Sequence, residues 1–428
     1  MDRLKYLKNE FGISEKVFRI AENAHDLASA SFSSLNNVKE YNQYKVIKAF
    51  QTFGLSDSMF SGTSGYGYDD KGRDTIDSIY AKVFGAEAAL VRTQIVSGTH
   101  ALAICLFGVL RPGMNMLCVT GKPYDTLEEV IGISGTGQGS LKDFGVEYRQ
   151  IELNKEGKVD IDKISENVDQ NTGLILMQRS RGYEWRDAFS IEEIRYTIEK
   201  IKSIKSDVIV LVDNCYGEFL ETQEPNEVGA DLIAGSLIKN PGGGLAFTGG
   251  YIAGKTDLVK LASYRYSAPG IGGHVGPSLN QNRTILQGLF MAPHVVAESL
   301  KGAIYTSAFM DLIGFEVSPK VSDKRGDIIQ AIMFNDEKLL ISFCEGIQKG
   351  SPVDSFVKPY PWDMPGYSHK IIMAAGGFIQ GSSIELSADA PIKPPYIAYL
   401  QGGLVYEHVK LGVIIAVEKM VSEGLLRL

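Results

Sequence analysis

Short apolar runs alternate with helix-like stretches through the middle of the chain. The apolar runs lie at residues 88–92, 115–119, 174–177, 208–212, 231–234 and 251–253. Between several of them the pattern indicates helices, for example at 100–110 and 191–204. Continuous apolar strands separated by helices are typical of a largely parallel sheet covered on both faces. Ligands of such sheets bind at the carboxyl ends of the strands, so the candidate chemistry is sought there.

The two ends of the chain show different patterns. Residues 1–50 indicate helices, with Leu4, Leu7 and Phe11 spaced for one helical face. From about residue 300 the pattern changes: a helix-like stretch at 297–312 is followed by short strand-like runs, Gly- and Pro-rich turns and a final helix. We therefore predict an N-terminal helical segment at 1–60, a large domain at 61–299 and a smaller C-terminal α/β domain at 300–428.

The composition narrows the class of protein. The chain has 428 residues, of which 44% are hydrophobic and 22% charged, as in globular proteins of two or three domains. Its net charge of −8 argues against a nucleic-acid binder, because phosphate binding needs a positive field. No apolar run approaches the roughly 18 residues of a membrane span. We therefore expect neither a nucleic acid nor a membrane as partner.

The cysteines and histidines predict neither disulfides nor a metal site. The four cysteines lie far apart and form no CxxC pair, which fits a reducing, cytoplasmic setting. The N-terminus also lacks the apolar core of a signal peptide. The six histidines are scattered, with no pair at the helical spacing of metal ligands.

The strand-like run VIVLV ends at Asp213, which is the first candidate for chemistry. A carboxylate at the carboxyl end of a buried strand is costly to desolvate without a cationic partner. Taken alone, Asp213 is as well interpreted as a helix-capping or salt-bridged aspartate.

The segment ADLIAGSLIKNPGGG places Ser236, Lys239 and three glycines directly after another apolar run. A solvated loop lysine is the simpler interpretation of Lys239 when it is considered alone. Against glycines, however, a lysine can approach a flat ligand closely. Partial burial is then expected to lower its pKa and make it a Schiff-base nucleophile.

Two further stretches can bind an anionic, planar ligand. Ser97, Gly98 and Thr99 open an apolar helix, whose free N–H groups and dipole favour an anion, although a plain N-cap is equally common. Tyr124 follows another apolar run and can present its ring to a planar cofactor, or be a packed loop tyrosine. The glycine-rich GTGQG at 135–139 does not follow a strand as a dinucleotide site requires, and we interpret it as a flexible loop.

The order of these features resembles that of fold-type I enzymes dependent on pyridoxal phosphate (PLP). The resemblance is closest to the Cys/Met-metabolism group, which includes cystathionine lyases and methionine γ-lyase, and it covers about the whole chain. The stretch GRDTIDSIYAKVFGAEAALVRTQIVSGTHAL carries it, and YGYDDKGRDT, QRSRGYEWR and SLIKNPGGGLAFTGGY are typical of the methionine γ-lyase-like, or aluminium-resistance, branch. The resemblance implies a mostly parallel seven-stranded sheet in a large domain and a smaller C-terminal α/β domain.

The resemblance also implies roles for individual residues. Lys239 is expected to hold PLP as a Schiff base and Asp213 to pair with its pyridinium nitrogen. Tyr124 is expected to stack on the ring and to protonate the leaving sulfur. The other expected cofactor-binding residues are Ser97, Gly98, Thr99 and Ser236 around the phosphate, together with Tyr216.

The sequence departs from the group's pattern in three places. Ile238 stands where the group has a second hydroxyl. The group's Tyr-x-Arg has no clean match, since Tyr66, Tyr68 and Arg73 lie near it without the same spacing. The group's C-terminal arginine for the substrate carboxylate is missing from 326–425. The expected substrate-binding residues are therefore Arg181, Arg179 and Tyr66, with Arg186 as a further arginine, and Arg265 and His274 are candidates to reach a partner's cofactor.

The resemblance implies a carbon–sulfur lyase that converts methionine, cystathionine or cysteine into a thiol, a 2-oxo acid and ammonia. Two alternatives stay open: another PLP reaction, such as γ-replacement or transamination, and a non-catalytic PLP-fold protein linked to metal stress resistance. The resemblance further implies a homodimer or homotetramer with shared active sites.

Overall fold

The structure is a computed structural model that describes residues 3–428. Its contacts divide the chain into two compact units. One unit consists of the chain up to Glu40, Tyr183–Trp185 and Pro293–Leu428. The other, which we call the large unit, consists of Tyr41–Gly182 and Arg186–Ala292.

A seven-stranded sheet forms the centre of the large unit. Its strands are β1 (Ala88–Arg92), β2 (Asn115–Cys118), β3 (Glu147–Gln150), β4 (Thr172–Gln178), β5 (Ile209–Asp213), β6 (Leu232–Ser236) and β7 (Gly250–Gly254). They lie in the order β1-β7-β6-β5-β4-β2-β3, and only β7 runs antiparallel to its neighbours. The four strands β4 to β7 have almost entirely buried residues, which is why their sequences are continuous apolar runs. The predicted mostly parallel seven-stranded sheet is confirmed.

Several helices of the large unit begin at polar side-chain caps that the sequence supplies. These helices are α4 (Lys71–Val83), α5 (Gly98–Val109), α6 (Asp125–Ile131), α7 (Ile161–Asn167), α8 (Ile191–Ile204) and α9 (Thr256–Tyr266). Ser190 caps α8 in a reciprocal capping box with Glu193. Helix α5 packs on β6, β7 and α9 and is apolar nearly all round, because it is covered on most sides.

The smaller unit is built on a five-stranded antiparallel sheet. Its strands are β8 (Glu316–Ser318), β9 (Gln330–Met333), β10 (Ile371–Ala375), β11 (Ser387–Pro391) and β12 (Ile397–Gln401), in the order β10-β11-β12-β9-β8. The helices α1 (Arg3–Phe11), α2 (Glu15–Ser29), α11 (Glu337–Lys349) and α12 (Tyr406–Ser422) belong to the same unit. The buried face of α2, Val17, Ala21, Ala24 and Ala28, joins the core of this unit. The predicted smaller α/β domain is confirmed.

Two long helices complete the fold, α3 (Phe32–Thr52) and α10 (Asn282–Leu312), and α10 contains Pro293. None of the helices among residues 3–428 combines the length and the apolar character that crossing a bilayer requires.

Candidate active site

Asp213 and Lys239 lie at the carboxyl ends of neighbouring parallel strands. Asp213 is the last residue of β5, and its neighbour across the sheet is Ala234 of β6. Lys239 follows the end of β6 by three residues, in a turn closed by a hydrogen bond from the Lys239 N–H to the Ser236 carbonyl, 3.4 Å between N and O. The two residues are far apart in the sequence but come from neighbouring strands, and both lie at the sheet edge where ligands of such sheets bind.

Each of these two groups affects the ionisation of the other. Asp213 is 8% exposed, and burial raises the pKa of its carboxyl while the positive charge of Lys239 opposes that rise. Its Oδ1 accepts a hydrogen bond from the Cys215 N–H, 3.1 Å away. The carboxylate thus has one donor within the protein and a cation nearby, as a buried carboxylate at a functional site requires.

The pKa of Lys239 is raised, which corrects the expectation from the sequence. Burial does lower the pKa of the ammonium group, as expected. Acidic groups around it have the larger, opposite effect, namely those of Cys215, Tyr216, Asp213 and Glu218. Without a ligand Lys239 is therefore a cation held among acidic groups and not a free amine.

The turn after β5 is strained and carries Tyr216 under the lysine. Tyr216 and Phe219 have φ values of 71° and 66°, a conformation that bulky side chains rarely adopt and that costs on the order of 1–3 kcal/mol per residue. The Lys239 Nζ lies 4.0 Å from the centre of the Tyr216 ring, within the range of a cation–π interaction. Such strain persists only where surrounding contacts enforce it, and it concentrates at functional sites.

Arg179 supplies some of those contacts. Its side chain is completely buried and donates to Asn214 Oδ1 at 2.9 Å, to the Gly217 carbonyl at 2.7 Å and to Glu221 Oε1 at 3.0 Å. Two of these three acceptors belong to the strained turn. The guanidinium group is therefore engaged in bracing the turn that carries Tyr216.

The start of helix α5 meets the ends of β5 and β6. Ser97 is the N-cap of α5, and its Oγ accepts from the His100 N–H at 3.0 Å. A Cβ placed on Gly98 would lie 3.0 Å from Cys215 Sγ and 3.8 Å from Ser236 Cβ, so only glycine leaves this junction open. The N–H groups and the dipole of α5 face the same junction, which is a favourable place for a phosphate.

Thr99 and Tyr124 lie around the beginning of α6. The hydroxyls of Thr99 and Thr126 are hydrogen-bonded, 2.6 Å between oxygens, and Tyr124 directly precedes α6. A Cβ on Gly182 would lie 3.3 Å from Cδ2 of the half-buried Tyr124 ring, so the loop after Arg181 lies against this ring.

Arg181 and Arg186 lie in the loop after β4. Arg181 is completely buried, with its Nη2 3.8 Å from Asp187 Oδ1. Arg186 is more peripheral and donates to the carbonyls of Asp187, at 2.8 Å, and Ser180. Of these two arginines, Arg181 is the buried one, and it directly precedes Gly182, which lies against the Tyr124 ring.

The remaining candidates lie in other loops and helices of the large unit. Tyr66 and Tyr68 are 72% and 62% exposed, with their ring centres 5.5 Å apart. Arg73 is buried and donates to the carbonyls of Gly67, at 2.6 Å, and Gly276, at 3.0 Å. It therefore ties the tyrosine loop to the segment after residue 270. Arg265 stacks on Phe107 and His274 lies in a 3-10 turn, Gly272–His274.

Two residues of this site were not singled out from the sequence. Cys215 fills the space beside Gly98, and Glu218 is a completely buried carboxyl in the strained turn whose charge acts on Lys239. Burial raises the pKa of Glu218 to about 8, the hydrogen bond from Tyr251 opposes this rise and Glu224 adds to it. The sequence offers no signal for either beyond their closeness to Asp213.

The fold is shared with a PLP-dependent protein of known structure. The PLP-dependent protein YhfS of Escherichia coli has the same fold: the two structures superpose with a TM-score of 0.61 at 18% identity, over 91% of this chain and 97% of the other. The fold is that of the fold-type I PLP-dependent enzymes.

The family follows from closer matches. The model of the methionine gamma-lyase family matches residues 17–421. The protein YnbB of Bacillus subtilis is 53% identical over 92% of this chain and 93% of its own length. The crystal structure of a carbon-sulfur lyase involved in aluminum resistance from Clostridium novyi is 52% identical, with a TM-score of 0.94 over 98% of this chain and 99% of that one. The chain belongs to the methionine gamma-lyase family, so the resemblance inferred from its motifs is confirmed.

Proposed function

We propose that this protein is a cytoplasmic PLP-dependent carbon–sulfur lyase that eliminates a thiol from a sulfur amino acid: methionine, cystathionine or cysteine. The observation that carries the proposal is the junction where Asp213, Lys239 and the open start of α5 at Gly98 lie together. A carboxylate, a lysine and a helix N-terminus match the pyridine nitrogen, the aldehyde and the phosphate of this cofactor. Membership of the methionine gamma-lyase family supports the same assignment.

The residues of the junction would share the work of holding the cofactor. Lys239 would bind it covalently and Asp213 would pair with its ring nitrogen. Ser97, Gly98, Thr99 and Ser236 would surround its phosphate, and Tyr124 and Tyr216 would lie near its ring. When bound, PLP withdraws electrons from the substrate carbon that bears the amine and so makes the proton on that carbon acidic.

The protein's own groups would then move the protons. Lys239 Nζ, once released by the substrate amine, would take the Cα proton, and for γ-elimination from methionine it would also move a proton from Cβ before the sulfur leaves. Asp213 would stay ionised, and its negative charge would keep the ring nitrogen of the cofactor protonated. The Tyr124 hydroxyl donates a proton to the departing sulfur, so that a neutral thiol leaves. Water consumes the remaining enamine and yields a 2-oxo acid and ammonia.

Among the arginines, we assign the substrate carboxylate to Arg181. Its side chain is buried, and the next residue, Gly182, lies against the Tyr124 ring. Arg179, in contrast, uses its donors to brace the turn after β5. A planar guanidinium group binds a carboxylate through two parallel hydrogen bonds. The exposed Tyr66 is a second substrate contact in this proposal. We also propose that the protein assembles as a homodimer or homotetramer with shared active sites.

The first experiment is the visible spectrum of the purified protein with added PLP. We expect a yellow band from the cofactor on Lys239, its loss in Lys239→Ala, and its retention in Lys260→Ala, which removes an exposed lysine of α9. The three amino acids are then added, and 2-oxo acid, ammonia and thiol are measured. A colourless wild type would refute cofactor binding, and a transamination product without thiol would refute the lyase.

A further inference from the structure

A second carboxyl group, that of Glu218, acts on the charge of Lys239 and takes no part in the mechanism above. Glu218 is completely buried in the turn after β5. Its Oε1 accepts a hydrogen bond from the Tyr251 hydroxyl of β7, 2.7 Å away. Its main-chain carbonyl accepts from Nδ2 of Asn240, 3.0 Å away, and Asn240 is the residue next to Lys239. Glu218 therefore links the turn after β5, strand β7 and the lysine turn.

The sheet leaves space for this carboxyl at one position. Gly235 of β6 faces it, and a Cβ there would lie 2.8 Å from the Tyr251 oxygen and 2.9 Å from Glu218 Oε1. Any larger residue at Gly235 would push the hydrogen-bonded pair apart. The glycine, the acid and the phenol thus form one packed group beneath the lysine turn.

The surroundings of Glu218 favour its neutral form. Its Oε2 is buried and has no hydrogen-bond partner, and the same holds for the hydroxyl of Tyr80 on α4, whose ring centre lies 6.1 Å from that of Tyr251. An unpartnered neutral hydroxyl in such a place costs about 1–3 kcal/mol, whereas an unpartnered buried charge costs far more. A proton on Glu218 is therefore the less costly state near neutral pH.

Of the charged and titratable groups around Glu218, some favour its protonated form and others favour its ionised form. Glu224 and the thiol of Cys215 lie on its own segment, and Glu224 favours the protonated acid. Tyr251 stabilises the carboxylate through its hydrogen bond, and its phenol stays protonated because burial raises its pKa. Lys239 is the cation that stabilises the carboxylate. The ionisation of Glu218 therefore depends on whether Lys239 carries a positive charge.

We propose that Glu218 is a positioning residue for Lys239, an inference that rests on the proposed function. Its main-chain carbonyl holds the lysine turn through Asn240, while its side chain remains a neutral acid that ionises only to stabilise a positive charge on the Lys239 nitrogen. When the cofactor-bound Lys239 nitrogen is unprotonated, no positive charge faces Glu218 and the acid retains its proton. A fixed carboxylate at this place would instead hold Lys239 permanently as an ammonium ion.

The test is a pH titration of the visible band of the holoenzyme. The band reports protonation of the Lys239 nitrogen, and at a pH where Glu218 is ionised its charge stabilises the protonated form of that nitrogen. In Glu218→Gln this charge is absent while the acceptor for Tyr251 remains. We expect the pKa of the band to fall by roughly one pH unit. An unchanged titration curve would overturn the proposal, because a purely structural contact does not move this pKa.

Two buried tyrosines provide a matched pair of controls. Tyr251→Phe removes the hydrogen bond that stabilises the carboxylate, so Glu218 stays neutral to higher pH and the pKa of the band falls as in Glu218→Gln. Tyr80→Phe removes a hydroxyl that makes no hydrogen bond and should leave the band within about 0.2 pH units of wild type. Equal shifts in both variants would indicate a general packing effect and contradict the proposal.

A measurement without cofactor separates failure of this inference from failure of the proposed function. The unfolding of ligand-free wild type, Glu218→Gln, Lys239→Met and the double variant is compared at pH 9. We expect coupling between the two sites, with Lys239→Met more harmful when Glu218 is present. Additive effects would refute the link between Glu218 and Lys239, whether or not the wild type binds PLP.

Discussion

The Lys239 ammonium nitrogen lies 4.0 Å above the centre of the Tyr216 ring, and Tyr216 is held there with a positive φ of 71°. A strained tyrosine thus supports the lysine that we assign to the cofactor. The relationship joins two turns that follow neighbouring strands, and it makes the charge of the lysine depend on an aromatic face as well as on acids.

Removal of that aromatic face should make Lys239 more reactive. In Tyr216→Leu the cation–π interaction, worth about 0.5–2 kcal/mol, is lost, so the pKa of Lys239 falls and more free amine is present at pH 7.5. We expect ligand-free protein to react several-fold faster with added PLP, measured as the growth of the visible band. Tyr216→Phe keeps the ring and should behave like wild type. If Tyr216→Leu reacts with PLP more slowly than wild type, the ring acts on Lys239 through packing and not through its charge.

Gly98→Ala should weaken cofactor binding because the new methyl group would lie 3.0 Å from Cys215 Sγ. The start of α5 must shift by a few tenths of an ångström, and its N–H groups move with it. We expect PLP affinity to fall about tenfold, equivalent to ~1.4 kcal/mol. The double variant Gly98→Ala with Cys215→Ala restores the space and should recover most of the affinity. Spectral titration with PLP measures the affinity of both variants. If the double variant does not recover affinity, the contact with Cys215 is not the cause of the loss.

Arg179→Met should destabilise the protein strongly. The substitution removes the guanidinium group that lies 3.0 Å from Glu221 and 3.9 Å from the buried Glu224, and it frees the strained turn. Breaking a buried ion pair from one side costs about 3–5 kcal/mol of unfolding free energy. Arg195→Met is the control, because its partner Glu192 is exposed and the loss should stay within about 1 kcal/mol. Similar losses of unfolding free energy for Arg179→Met and Arg195→Met in chemical denaturation would contradict the role of Arg179 in bracing the turn.

Glu218 should make the ligand-free protein less stable as the pH rises. Its pKa is about 8 in the folded protein and 4.5 in a model peptide, so between these values the unfolded state has lost the proton that the folded state retains. Between pH 5 and pH 8 this group alone should remove roughly 4 kcal/mol of unfolding free energy. Above pH 8 both states are ionised and its effect becomes constant.

The comparison with Glu218→Gln isolates this contribution. Burial also raises the pKa values of Asp213 and Glu224, so wild type loses further stability with rising pH through them, and the variant retains that part. The raised pKa of Lys239 acts only at higher pH. Denaturant unfolding at pH 5 and pH 8 should therefore show that Glu218→Gln loses less unfolding free energy between these two pH values than wild type does. Parallel losses would mean that Glu218 is ionised in the folded protein already at pH 5.

The sequence predicted the strands of the large unit where burial makes them continuous apolar runs. The predicted strand at 88–92 is β1, and the predicted helix at 191–204 is α8. In contrast, β3 has no buried residue in its four positions and no apolar run, so it was not predicted. The helix expected at 297–312 begins earlier, at Asn282, because Pro293 lies within α10 and obscures the helical pattern.

The helices at the N-terminus were predicted from their periodicity, but their place in the fold was not. Of the segment at 1–60, the structure groups residues up to Glu40 with the smaller unit and those from Tyr41 with the large one. The apolar face of α2 that begins at Val17 packs among residues about 300 or more positions away along the chain. Periodicity indicates which face of a helix is buried and contains no information about what covers it.

The sequence by itself placed Asp213 and Lys239 at the carboxyl ends of buried strands, and the carboxyl ends of parallel strands share one edge of the sheet. Only the tertiary structure decided their electrostatics. The raised pKa of Lys239, the position of Tyr216 beneath it and the buried acid of Glu218 depend on which side chains converge from distant parts of the chain. Ionisation responds to local solvation and to charges a few ångströms away, and those distances exist only after folding.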